Sequence, residues 1–170
     1  MVWEAEVELY AGDGERAFAR LAQDEQALEQ SGLLGIHMIR ATTFSVRGRS
    51  AVASVAAARG GTRSARLAVA RQAQHLLERE EMPWTDALAA ALEASIAMAH
   101  RDIGSAESAL RRAIELAETA EMAVHAAAAQ HRLGSLLGGD TGAALVTRAE
   151  EAMRVRGVRV PGQYARALVP

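Results

Sequence analysis

The sequence predicts an all-α fold built from stacked antiparallel helical hairpins. Three observations carry that expectation. Proline occurs only at positions 83, 161 and 170, so long uninterrupted helices are permitted. Apolar residues recur at helical spacing, with no alternating run that would make a strand. The breakers form a series: Ala11-Gly12-Asp13-Gly14, Gly60-Gly61, Arg101-Asp102-Ile103-Gly104, and the run from Gly138 to Gly142. Their centres at 13, 61, 102 and 140 lie 48, 41 and 38 residues apart, a period typical of stacked helical hairpins.

The expected helices are 2–11, 14–30, 34–59, 62–80, 84–100, 104–119, 121–137, 141–156 and a short 162–168. In the first, Trp3, Val7 and Tyr10 stand at i, i+4 and i+7 and make one apolar face, part of which should pack near Phe18 and Leu21. The second opens on Asp13, whose carboxylate can accept from free backbone N–H groups, and carries the small Ala17 four residues on. Ser31-Gly32 separates it from the third, and Gly60-Gly61 separates the third from the fourth. Pro83 opens the fifth, where its missing N–H costs nothing. The sixth follows Asp102 with Ala106, Leu110 and Ala113, which matches the second half of a tetratricopeptide (TPR) hairpin. After the Ala120-Glu121 junction comes the seventh, and Asp140 with Ala144 opens the eighth. Gly157 fits a C-cap behind Arg154 and Arg156, and Pro161 opens the last helix. The motif fails at Asp24 in the first copy and at Arg148 in the third, so the repeats are degenerate. Residues 1–170 are expected to form one TPR-like domain of about eight helices plus a short C-terminal one.

Composition narrows the function. There is no cysteine, which removes disulfides, thiolate zinc sites, iron–sulfur clusters and a cysteine nucleophile together. The start MVWEAEVELY is acidic where a signal peptide is basic, and no apolar stretch approaches the roughly 20 residues that span a bilayer, so a cytoplasmic protein is expected. All 19 basic residues are Arg, a bias that fits a GC-rich genome. Residues 1–29 hold eight acids against two Arg, whereas 30–77 hold seven Arg and no acid. Either the acidic first hairpin packs beside the basic second one, which is the favoured reading, or Arg40, Arg47 and Arg49 meet an anionic partner.

No catalytic, cofactor or metal site is expected. Asp140-Thr141-Gly142 is the one string that looks like an aspartic protease motif, but a helical run follows it, which makes it a helix start. The histidines at 37, 75, 100, 125 and 131 include no pair spaced by three or four residues. Glu121 and His125 do share a face. Ser50, Ser54, Ser64 and Ser135 lie in helical runs without a nucleophile elbow. Nucleic acid is disfavoured because Phe44 alone could stack a base within the basic segment.

The strings SGLLGIHMIRA, EMPWTDALAAALEASIAMA and EMAVHAAAAQHRLGSLLGGDTGAALVTRAEEAMRVRGVRVPGQYARALVP resemble the C-terminal helical region of large bacterial multidomain signalling proteins. In those, a serine/threonine kinase domain precedes an AAA-type ATPase module and a long TPR-like array. The resemblance implies a terminal piece or free-standing relative of such an array, with the nucleotide chemistry elsewhere. Without a lysine, a Walker loop or kinase lysine is impossible here, and no functional residue carries over. The expected function is a non-enzymatic protein–protein interaction and regulatory scaffold, engaging a peptide, an upstream kinase or ATPase domain, or a second copy through the first hairpin. The candidate partner-binding residues are Trp3, Val7, Tyr10, Arg40, Arg47 and Arg49. The alternative is a small-molecule-sensing or catalytic bundle with a site in its core, against which the alanine-rich core pattern argues for close packing rather than a cavity.

Overall fold

The computed structural model describes residues 2–170, apart from the side chain of Glu25. The described chain has no strand, and helical residues make up 85% of the protein. The helices are α1 (Val2–Ala11), α2 (Gly14–Gln30), α3 (His37–Ala53), α4 (Gly60–Glu78), α5 (Pro83–His100), α6 (Ile103–Thr119), α7 (Ala123–Leu137), α8 (Gly139–Val155) and α9 (Pro161–Leu168). Each of the pairs α1/α2, α3/α4, α5/α6 and α7/α8 is joined by a short turn and packed together, so the two helices must run antiparallel.

Local chemistry explains the turns. The Asp13 carboxylate accepts from the Arg16 N–H at 3.0 Å, and that of Asp102 from the Ser105 N–H at 3.1 Å, each satisfying an orphan donor. Pro83 and Pro161 stand at the first position of α5 and α9. The expected helix 34–59 is instead divided. A 3-10 turn at Leu33–Gly35 comes first, Ile36 is extended at φ −85°, and a second 3-10 turn at Ser54–Ala56 tightens the exit from α3.

The fourth turn departs from the expected register. Gly138, not Asp140, caps α8, and Ala144 is exposed. Close approach is supplied instead by Gly142, which packs backbone to backbone against Gly134 of α7. A Cβ on Gly134 would stand 2.6 Å from the Gly142 carbonyl oxygen, which leaves no room for a side chain between these helices.

More than half of the buried apolar residues are alanines. Small side chains bring helix axes close, and larger ones fill what remains. Leu77 and Leu92 fill the space among α3, α4 and α5, and Leu110 fills that among α5, α6 and α7. A Cβ on Gly48 would collide with Leu92, so the α3–α5 contact also depends on a missing side chain.

Of the expected face of the N-terminal helix, Tyr10 packs against the cluster that holds Leu21, but the main buried face is another. Val2, Ala5 and Leu9 are buried and pack with Ala17, Leu21 and Val46, whereas Trp3 is 75% exposed and Val7 68%. Phe18 belongs to the α3–α5 core and stacks under the Arg66 guanidinium, 5.3 Å from its ring centre. The reason is a competitor not visible locally: α9 returns to α1. Ala167 joins the α1–α2 cluster, Val169 joins Ala90, Ala94 and Leu110, and Ala165 packs on Ala127, Ala128 and Met153. An eight-residue helix is marginal alone, so α9 exists by virtue of this burial.

Candidate functional site

One cleft of about 830 Å³ is bounded by the first helix of every pair and by α9. Helix α1 contributes Trp3, Glu6, Val7 and Tyr10, at i, i+3, i+4 and i+7 of its outward face. From α3 come Thr42, Ser45 and Arg49, and from α5 Trp84 and Leu88. The opposite side is Val124 and His125 of α7 with Tyr164 and Leu168 of α9, and the α8–α9 link adds Arg156, Val158 and Arg159. The lining is mainly apolar, with four aromatic rings.

Its floor is a polar knot tying three helices. Arg49 is only 6% exposed. It donates to the Glu6 carboxylate through both terminal nitrogens, one of them at 3.1 Å, and to the Ala167 carbonyl at 2.9 Å. Gln163 Nε2 donates to the Tyr10 carbonyl at 2.6 Å, and the Tyr10 and Tyr164 rings meet edge to face at 6.3 Å. Thus α1, α3 and α9 are held by charge-assisted bonds as well as by packing. His125 is half-buried beside this knot. Burial pushes its pKa down to about 4, the positive charge of Arg49 pushes the same way, and Glu6 opposes both. The imidazole is therefore neutral at pH 7.

Four of the six candidate residues from the sequence, Trp3, Val7, Tyr10 and Arg49, line this one cleft. The other two do not join them. Arg40 is clamped by the Glu80 carboxylate at 2.7 and 2.6 Å, which also accepts from His37, and donates to the Leu34 carbonyl at 3.0 Å. That pairing holds the Glu80 carboxyl below its usual range. Arg47 lines a smaller cleft of about 280 Å³ with Phe44, Leu34 and Leu76. Arg40, Arg47 and Arg49 therefore do not form one basic surface. The acidic first pair does neutralise the basic second one, through Glu6–Arg49 and through Glu15–Arg66, which bond at 2.6 Å.

Sequence reasoning missed Trp84 and Tyr164, and paired His125 with the wrong carboxylate. Trp84 and Leu88 at i and i+4 are a readable signal of a helix face, but nothing local places Tyr164 beside Tyr10, 154 residues away. Glu121, the expected companion of His125, sits exposed in a left-handed turn at φ 57°, and Glu6 takes its place near the imidazole. Asp140 lies exposed in the first turn of α8. Among the described residues, no group of three or more His, Asp or Glu side chains could hold a metal ion, and no helix is long and apolar enough to cross a membrane. No family model, curated protein or solved structure matches the chain.

Proposed function

We propose that this chain is a non-enzymatic protein–protein interaction module, a TPR-like regulatory scaffold that holds a peptide segment in the cleft between α1 and α9. The observation that carries the reading is the composition of that cleft. The exposed Trp3 and Val7, with Tyr10, Trp84 and Tyr164, offer rigid apolar contact area, and Arg156 and Arg159 stand at the link beside it. The matching partner is a short segment with two apolar anchors flanked by Asp or Glu. In the context the sequence resembles, such a segment would belong to a kinase or ATPase domain upstream in a bacterial signalling protein.

Selection from a displayed peptide library, followed by calorimetry on the winners, tests this. Enriched peptides should share apolar anchors and acidic flanks, and Val7→Glu or Trp84→Ala should weaken them at least about tenfold. Binding indifferent to both substitutions would remove the cleft as the site. A second copy docking through Trp3 and Val7 is the homodimer form of the same reading. Light scattering that shows a dimer in the parent and a monomer in Trp3→Glu supports it, and a monomeric parent refutes it. The small-molecule alternative rests on Thr42, Arg49 and His125 converging in an apolar hollow. Saturable metabolite binding without peptide capture would favour it.

A further inference from the structure

A second cleft, of about 1070 Å³, opens where α3, α4, α5, α7 and α9 meet. Its lining includes Arg59, Arg63, His100, Arg101, Arg132 and Arg166 together with the terminal residue Pro170, and no Asp or Glu side chain. Four arginines that tie helices together, Arg20, Arg40, Arg49 and Arg66, each find a carboxylate. Here they do not. Arg59, Arg101, Arg132 and Arg166 make no ion pair among the described residues. Arg63 is engaged by the Val55 and Ala99 carbonyls, which fixes the start of α4 against the end of α5.

Arg132 is the most telling member. It is half-buried, its buried Nε has no acceptor, and its one bond runs from Nη2 to the Met98 sulfur at 3.6 Å, a weak acceptor. Burial and the neighbouring charge of Arg166 both disfavour its charged form. Gathering unpaired guanidinium groups around a hollow, one of them with a buried, unsatisfied Nε, works against folding. An anion in the hollow removes that penalty.

We propose that this cleft binds a small, multiply charged phosphate-type anion, anchored by Arg132 and embraced by Arg59, Arg101 and Arg166. Guanidinium forks match phosphate oxygens two at a time, and several of them select high anionic charge in a small volume. The ligand is a phosphate chain rather than a nucleic acid, because no Phe, Tyr or Trp lines the cleft to stack a base.

Isothermal titration of the full chain with inorganic tripolyphosphate and with ATP tests the site. Saturable one-to-one binding of tripolyphosphate is expected, weakening as salt is added. Arg59→Glu and Arg166→Glu, both at exposed positions, should each weaken it at least about tenfold, whereas Arg148→Glu on the exposed surface of α8 should not. Arg132→Gln should abolish it. If that variant fails to fold by circular dichroism, the two exposed variants decide the matter. Absence of binding at millimolar tripolyphosphate, or an equal loss in Arg148→Glu, would overturn the proposal. ATP binding more than about tenfold tighter than tripolyphosphate would overturn the assignment to the phosphate chain.

Discussion

Arg49 shows how one residue can be read correctly and for an incomplete reason. Its charge in an acid-free segment is visible in the sequence, but its burial and its two acceptors on α1 and α9 are not. Removing one partner of a buried charge leaves the other unsatisfied, which costs more than the pair contributes. Glu6→Gln should therefore destabilise the fold by about 2 kcal/mol in urea denaturation. The exposed pair of Glu107 and Arg111, tested by Glu107→Gln, should change stability by less than about 0.5 kcal/mol. His125 supplies a pH dependence of definite sign. The folded protein holds the imidazole neutral down to about pH 4, whereas the unfolded chain takes up the proton near pH 6.5. The unfolded state thus binds more protons between these values, and stability falls as pH drops through that window. Comparing parent and His125→Gln at pH 7.5 and pH 4.5 should show the variant losing about 2 kcal/mol less. Equal losses would refute the burial of the neutral ring.

At the scale of elements, helix boundaries were legible because caps and breakers are local: Asp13, Asp102, Pro83 and Pro161 act on the turn they occupy. Register between helices was not. The spacing of Asp140 and Ala144 copied the earlier turns, yet α7 and α8 meet through Gly134 and Gly142. Gly134→Ala should cost about 3 kcal/mol by forcing two backbones apart. Gly61→Ala, where a Cβ meets nothing within 4 Å, should leave the denaturation midpoint unchanged or slightly raised. A mild effect at Gly134 would mean that α7 and α8 lie farther apart than described.

The molecule as a whole is shaped by α9. The first hairpin, with its short opening helix, is expected from the sequence to be the most labile part of the fold. The structure adds a clamp to it: Gln163 on the Tyr10 carbonyl, Tyr164 on the Tyr10 ring, and the Arg49 bridge. Opening of α1 should then be coupled to release of α9. Hydrogen exchange on a Gln163→Ala, Tyr164→Ala variant should speed the α1 amides severalfold while leaving α6 unchanged. Exchange in α1 that ignores these substitutions would show that the N-terminal helix is held by α2 and α3 alone.

The sequence by itself determined the all-α class, the four helix pairs and their turns, the absence of cysteine chemistry and a face of Trp3, Val7 and Tyr10. These follow from periodicity, caps and composition, which act within a few residues along the chain. Only the tertiary structure decided that this face borders a cleft, with Trp3 and Val7 exposed and Tyr10 alone packed on the core, and that Arg40 and Arg49 are paired. It alone gathered the unpaired arginines 59, 101, 132 and 166 around one hollow. Those outcomes depend on where α9 lands and on which carboxylate reaches which guanidinium. Contacts between residues tens to more than a hundred positions apart are settled by burial and by the satisfaction of buried charge, and neither leaves a periodic trace in the chain.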